Sequence, residues 1–381
     1  MQSIKNLINK RALSVSFILW IILHVSGIQQ LYFKGTDSLK IVPMKLLHIV
    51  FLYVITYKLF SLFANRKTKE GKYELAIAGA CFLAYVCAIL ITWPGTWSWD
   101  DIFILQHAEY YGTYPFQHFF SGTFQIMCLQ TMPFAAGVII VQTFIMSLIS
   151  GYCVTKISFA FANSEKEIKI FCTVLFATMF FPPILIYARS GFRMGVYTSL
   201  VLLLITKMIL LYKNSEKPTA AEIIAVGVLT VLVAAWRTEG IYYPIMIFAL
   251  LLLLGKQKVK RTVAVTLLAA TLLTTVAIGN YNTKLIGNGD YSLSATMHNL
   301  ASVVRVSRDE DKDALDILDK VVDIQFIKDN PTMSGEALFW DERVIRDGYT
   351  EEDLSNYTGA LIKLCLKYPG AVIKRNQEDS S

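Results

Sequence analysis

The stretch "WPGTWSWDDIF", residues 93–103, places two adjacent carboxylates, Asp100 and Asp101, behind three tryptophans, a Pro-Gly and a serine. No Lys or Arg occurs between Lys72 and Lys156, so nothing nearby in the sequence neutralises them. A carboxylate so placed can take a proton from a hydroxyl or bind a hard divalent cation through oxygen, with Asp100 and Asp101 as the candidate ligands. Two further segments carry arginines at breaks between apolar runs: Arg189 and Arg193 in "YARSGFRMG", and Arg237 with Glu239 in "WRTEGIYY". Arginine holds phosphate through a planar fork of donors. Gln117 and His118, in "YPFQHFF", are candidates for polar contacts to a substrate.

Each residue also has a simpler reading. Ser98 with Asp101 three positions on has the form of a capping box, opening a helix "DDIFILQHAEYYG" that ends near Gly112. Asp in a first helical turn is favoured by the helix dipole. Trp93, Trp97, Trp99, Tyr110, Tyr111 and Tyr114 fit a belt of interfacial aromatics. Arg189 and Arg193 can snorkel to headgroups, and Arg237 can pair locally with Glu239. His107 and His118 are more often structural than ligating, and Glu109 belongs to the same loop.

The elements that must position these residues are membrane helices. The chain of 381 residues is 54% hydrophobic and 17% charged, with a mean hydropathy of +0.48. Apolar runs lie at roughly 13–31, 44–64, 73–92, 134–155, 168–188, 193–212, 220–236, 240–254 and 262–279. About twenty residues at 1.5 Å rise cross a hydrocarbon layer, so the fold class is an all-α polytopic membrane protein of about nine spans. The pair either side of Arg237 is short. The N-terminal run has a basic flank but no small-x-small cleavage site and is read as a retained first span. Six cysteines show no metal-site spacing and read as small buried hydrophobes.

Sidedness follows from the basic residues. With the N-terminus cytoplasmic, the inner loops hold seventeen Lys and Arg and the short outer loops six. The formal charge of +7 therefore reflects cytoplasmic loops and points to no nucleic-acid partner. In this arrangement the loop 93–133 after span three and both arginine turns lie outside. Residues 280–381, rich in charge, form a small extracytoplasmic soluble domain, with 312–327 as one amphipathic helix. Beyond the first and last three residues of the spans only Lys58 and Lys207 carry charge, both toward inner ends, which disfavours a transport path through the bilayer.

Carboxylates, arginines and aromatics at the outer leaflet suit a lipid-linked sugar phosphate, with a phosphate at headgroup height and a sugar just outside. Transfer needs a base for the acceptor and positive charge for the leaving phosphate. The runs "WPGTWSWDDIFIL", "YPFQHFFSGTFQIMCLQTMP", "ARSGFRMGVY" and "WRTEGIYY" resemble multi-span membrane proteins of Gram-positive bacteria that look like GT-C-type glycosyltransferases. The resemblance covers roughly 73–260. It implies a bacterial plasma-membrane enzyme, a polyprenyl-phosphate sugar donor and a cell-envelope acceptor. Asp100 and Asp101 match the acidic position of the family's first large outer loop, Gln117 and His118 its Gln-His, and Arg237 and Glu239 its Arg-x-Glu. Two features depart from the family. The loop follows span three instead of span one, and no spans follow the outer domain. The polar ending "YPGAVIKRNQEDSS" is accordingly read as that of a shortened chain. The alternatives are a non-enzymatic lipid-linked glycan transporter and an inactive assembly subunit.

Overall fold

The computed structural model describes residues 2–35, 38–114, 118–213, 218–237, 240, 242–253, 261–286 and 290–378. Among these there is no strand, and the chain is helical apart from two isolated bridges. Contacts divide it into Met1–Asn282 and Thr283–Ser381.

In the first unit the helices are α1 (Gln2–Val25), α2 (Ser38–Asn65), α3 (Lys69–Ile91), α4 (Trp99–Ala108), α5 (Phe119–Thr131), α6 (Ala135–Phe161), α7 (Glu165–Thr178), α8 (Pro182–Ala188), α9 (Met194–Lys213), α10 (Ala220–Ala234), α11 (Tyr242–Leu253) and α12 (Arg261–Ile286). Six of them, α1, α2, α3, α6, α9 and α12, are long and apolar enough to cross a membrane. The expected continuous span 168–188 is instead two helices bent by 64°. Pro182 and Pro183 are the cause: neither has an N–H to continue the ladder of α7, and both suit the first positions of a new helix. At 15 and 12 residues, α10 and α11 fall short of the usual spanning length.

Helix α6 is the centre of the unit. Its apolar window is 72% buried, against 11% for α1 and 17% for α12, and α3 and α9 pack along it. The peripheral helices leave large apolar side chains exposed, among them Leu13, Ile18, Leu39, Val50, Leu83, Val228 and Leu273. Such breadth of exposed apolar surface suits lipid and not water. Buried polar contacts tie α1 and α2 to α5. The Thr131 hydroxyl donates to the Met127 carbonyl (2.9 Å), so its oxygen accepts from His48 Nε2 (3.0 Å). His48 Nδ1 is then the acceptor for His24 Nε2–H (3.1 Å).

The segment 93–133, expected as one outer loop, contains two helices. Only α4 lies at the surface of that expectation. Helix α5 is packed among α2, α4 and α6, with a continuous run of buried residues from Ser121 to Ile126. Thirteen residues are too few to span a bilayer, so its packing satisfies a different demand, described below.

The second unit contains α13 (Asp290–Val306), α14 (Lys312–Asp319), α15 (Ile324–Asp329), α16 (Gly335–Phe339), α17 (Glu351–Lys367) and α18 (Pro369–Glu378). Its core is a stripe on α13, Met297, Leu300, Ala301 and Val304, at helical spacing, packed with Leu318, Ile327, Leu338, Tyr357 and Leu361. The region 312–327 is two helices and not one. The chain turns at 320–323, where Asp323 N–H donates to Val344 O (2.8 Å) and Val322 bridges Ile345.

Candidate functional site

The acidic pair enters the structure through backbone geometry. After α3, Gly95 adopts φ +104°, a conformation that a side chain disfavours. A Cβ there would also lie 2.2 Å from Ile139 Cδ1 and 2.9 Å from the Arg189 carbonyl. This close approach lets Thr96 pair with the turn between α8 and α9. Thr96 N–H donates to Arg189 O (3.0 Å), and Gly191 N–H donates back to Thr96 O (3.1 Å). Trp97 then lies across Gly191, where a Cβ would sit 2.4 Å from its ring. The two segments "PGTW" and "ARSG" are therefore one unit, though almost a hundred residues separate them.

Ser98 and Asp101 form the expected capping box of α4. Asp101 Oδ2 accepts from Ser98 N–H (3.0 Å) and from its hydroxyl (2.8 Å). The same side chain does more than cap. It is 1% exposed, and Oδ1 is buried with no hydrogen-bond partner. Burial pushes the carboxyl above the ordinary carboxylate range; the Ser98 donors and the Arg193 charge oppose that shift, and Asp100 adds to it. Asp100, next along the helix, is exposed. The pair thus divides into one interior carboxylate that feels Arg193 and one solvent-facing carboxylate.

The arginine turn is held from three sides. Besides Thr96, Gln125 of α5 donates to Gly191 O (2.9 Å). Gln142 of α6 donates to Ser190 O (3.1 Å) and Tyr187 O (3.3 Å). Both glutamines are 1% exposed. This is the demand that α5 satisfies: it carries an amide to a buried turn whose carbonyls would otherwise be unpaired. Neither glutamine was a candidate from the sequence, where they look like ordinary polar interruptions of apolar runs. The available signal was their type: a lone Gln within an otherwise apolar helix must find a partner.

Arg237 joins the same end. Its Nη1 lies 2.8 Å from Met194 Sδ, at the first residue of α9. The turn after α10 is therefore level with the start of α9, although α10 is short. Arg189, Arg193, Arg237, Asp100 and Asp101 are in this way brought to one end of the α3–α6–α9 frame. His118 stands at the N-cap of α5, its carbonyl accepting from the Ser121 hydroxyl (2.7 Å), two turns before Gln125. Gln117 and Glu239 lie outside the described residues. His107 and Glu109 are structural: His107 Nδ1 meets Phe103 O (2.8 Å), and Glu109 pairs with Lys34 (2.8 Å).

Among the described residues no three His, Cys, Asp or Glu side chains are grouped to hold a metal. Asp101 commits one oxygen to Ser98, and a hard divalent ion wants six or more oxygens. What the arrangement can do is bind an anion beside a carboxylate: three guanidinium groups and an exposed acid share one end of the bundle. Comparison with protein-family models, curated proteins and solved structures gave no match.

Proposed function

We propose that the protein is a membrane glycosyltransferase of GT-C type, moving a sugar from a polyprenyl phosphate to a cell-envelope acceptor. The observation that carries this reading is the pairing of Thr96 with the Arg189–Gly191 turn, which joins the loop of the acidic pair to the turn before Arg193, whose charge acts on Asp101. In this scheme Asp100, the exposed carboxylate, takes the proton of the acceptor hydroxyl. The acceptor oxygen bonds to the anomeric carbon, and the bond from that carbon to the donor phosphate oxygen breaks. The phosphate leaves with the electron pair, and Arg189, Arg193 and Arg237 stabilise its charge. Asp101 holds the loop in register and balances Arg193. His118, with Gln117 and Glu239, contacts sugar or acceptor.

The reading places the site at the outer face of a bacterial plasma membrane, with the N-terminus cytoplasmic. Nine crossings and seven give the same side for residues 283–381, because α10 and α11 either both cross or turn back together. The test is transfer from a polyprenyl-phosphate sugar by membranes holding variants at matched expression. Asp100→Asn is expected to lose about 10²-fold or more, the contribution of a general base. Parental rates in both Asp100→Asn and Asp101→Asn would end the catalytic assignment.

A further inference from the structure

The opposite end of the same three-helix frame holds a second cluster of charge. Helix α3 runs antiparallel to α6 and α9, so Glu74 near the start of α3 lies at the same end as Tyr152 and Lys156 in the last third of α6 and Lys207 near the end of α9. Lys58 of α2 joins them. Two ammonium groups, Lys58 Nζ and Lys207 Nζ, each lie 4.7 Å from the centroid of the Tyr152 ring, and Lys156 Nζ lies 6.0 Å from it. These are cation–π distances.

Snorkelling does not explain the arrangement. A snorkelling lysine extends along its helix toward the nearer end. Lys207 stands six residues inside the end of α9, about 9 Å along the axis at 1.5 Å per residue. Its ammonium group is turned across to a ring that stands nine residues inside the end of α6. Lys58, about two turns inside the end of α2, turns to the same ring.

The charges do not balance within the cluster. Glu74, 8% exposed, pairs with Lys58. Glu70 pairs with Lys156 (2.7 Å). Each carboxylate is thereby matched to one lysine, and Lys207 makes no ion pair among the described residues. Glu222 of α10 also acts on Lys207 electrostatically, but its Oε2 accepts from the Thr219 N–H (2.8 Å) and hydroxyl (2.9 Å). Three ammonium groups thus converge on one ring with two ion pairs among them, and the third, Lys207, is left without one among the described residues.

We propose that Lys207, with Lys58 and Lys156 around Tyr152, forms a binding site for a phosphate oxyanion. Lysine binds phosphate as a point charge, and the aromatic ring holds the like charges in place between occupancies. The basic loops at this end fit the phosphate of an anionic lipid; a free phosphate group has the same chemistry. The site is separate from the acidic pair, about 20 Å away by the rise of the helix between Arg193 and Lys207, and does not depend on the reading given to that end.

The experiment uses the full chain in nanodiscs of phosphatidylcholine with a minority of phosphatidylglycerol. Native mass spectrometry then counts the phosphatidylglycerol molecules that stay on the released protein. The wild type is expected to retain one, and Lys207→Gln to lower that retention about tenfold, the loss of one hydrogen bond to a charged group. Lys213→Gln makes the same charge change at the same end, on a lysine stacked on Phe161 instead. It should leave retention unchanged. Failure of inorganic phosphate to displace the retained lipid identifies a lipid site. Displacement, or direct phosphate adducts that vanish in Lys207→Gln, identifies a soluble phosphate site. A wild type that retains no phosphatidylglycerol and binds no phosphate overturns the proposal, and this needs no variant to fold. Equal losses in Lys207→Gln and Lys213→Gln overturn it too, because they mean diffuse attraction.

Discussion

Gly191→Ala tests the joint between the acidic loop and the arginine turn with one methyl group. A Cβ at this position would lie 2.4 Å from Trp97 Cζ3 and 2.6 Å from Cε3. Ordinary carbon contacts begin near 3.5 Å, so the indole or the turn must move by about 1 Å. Overpacking of this kind costs about 1–3 kcal/mol. If the shift also breaks the Gly191 N–H bond to Thr96, a further ~1 kcal/mol goes with it. On the proposed function, the larger effect falls on sugar transfer. The displaced element carries Asp100 on one side and Arg193 on the other, and a misplacement of about 1 Å between reacting groups can cost about 10²-fold in rate. The assays are thermal unfolding in detergent and sugar transfer at matched expression. Gly79→Ala in α3 is the control, since nothing lies within 4 Å of a Cβ there. It should be neutral or slightly stabilising. Equal stability and equal transfer in the two variants would refute the argument that this contact aligns the site.

Gln142→Leu removes the donor to Ser190 O and Tyr187 O and leaves buried carbonyls unpaired; unfolding should show a loss of about 1–3 kcal/mol, and Gln125→Leu a similar one at Gly191 O. Arg193→Lys keeps charge but loses the fork, so donor binding should weaken more than in Arg66→Lys, and equal binding would favour a headgroup role. Asp101 takes up its proton at higher pH in the folded chain than in the unfolded one. The folded state then binds more protons between the ordinary Asp value of about 3.9 and the raised one, and stability gains as pH falls through that window. Asp101→Asn leaves Ser98 as the cap and keeps an amide oxygen to accept from it, so it should not lower stability at about pH 7 and should lack this gain on acidification. In the second unit, Asp311 is held down to about 2 by the Arg308 N–H, Lys367 and Tyr368. Its contribution is present above about pH 4 and is lost as pH falls toward 2; Asp311→Asn should abolish that dependence in a pH-unfolding series.

The helical class was legible because spanning helices are written in composition, and every apolar run in the sequence corresponds to a helix or helix pair. The capping box was legible because Ser98 and Asp101 act within one turn. Three features were not. The bend at Pro182 was hidden by hydropathy, which sums side chains and ignores the missing N–H. Helix α5 was read as loop because its 13 residues are too few for a span, and short apolar helices inside a bundle have no length signal of their own. The bridge between Thr96 and the Arg189–Gly191 turn is a non-local backbone pairing, and no periodicity reports it. Gly95 and Gly191 are the residues that permit it, yet a glycine in the sequence does not say which backbone or ring will approach it.

The choice between a helix cap and a chemical group at the acidic pair was posed by the sequence as a choice between two roles for similar residues. The structure separates them by position. Helix α4 advances about 100° per residue, so adjacent carboxylates cannot face the same way. Asp101 faces inward, where capping Ser98 and sensing Arg193 are compatible because they use different parts of one carboxylate. Asp100 faces out, toward solvent. A lysine or arginine anywhere in the loop 93–133 would compete for either acid, and the sequence has none. The cation that acts on Asp101, Arg193, is delivered by the bridged turn. Alignment of that turn, by Gly95, Gly191, Gln125 and Gln142, is what makes the charge arrangement depend on the fold and not on local sequence.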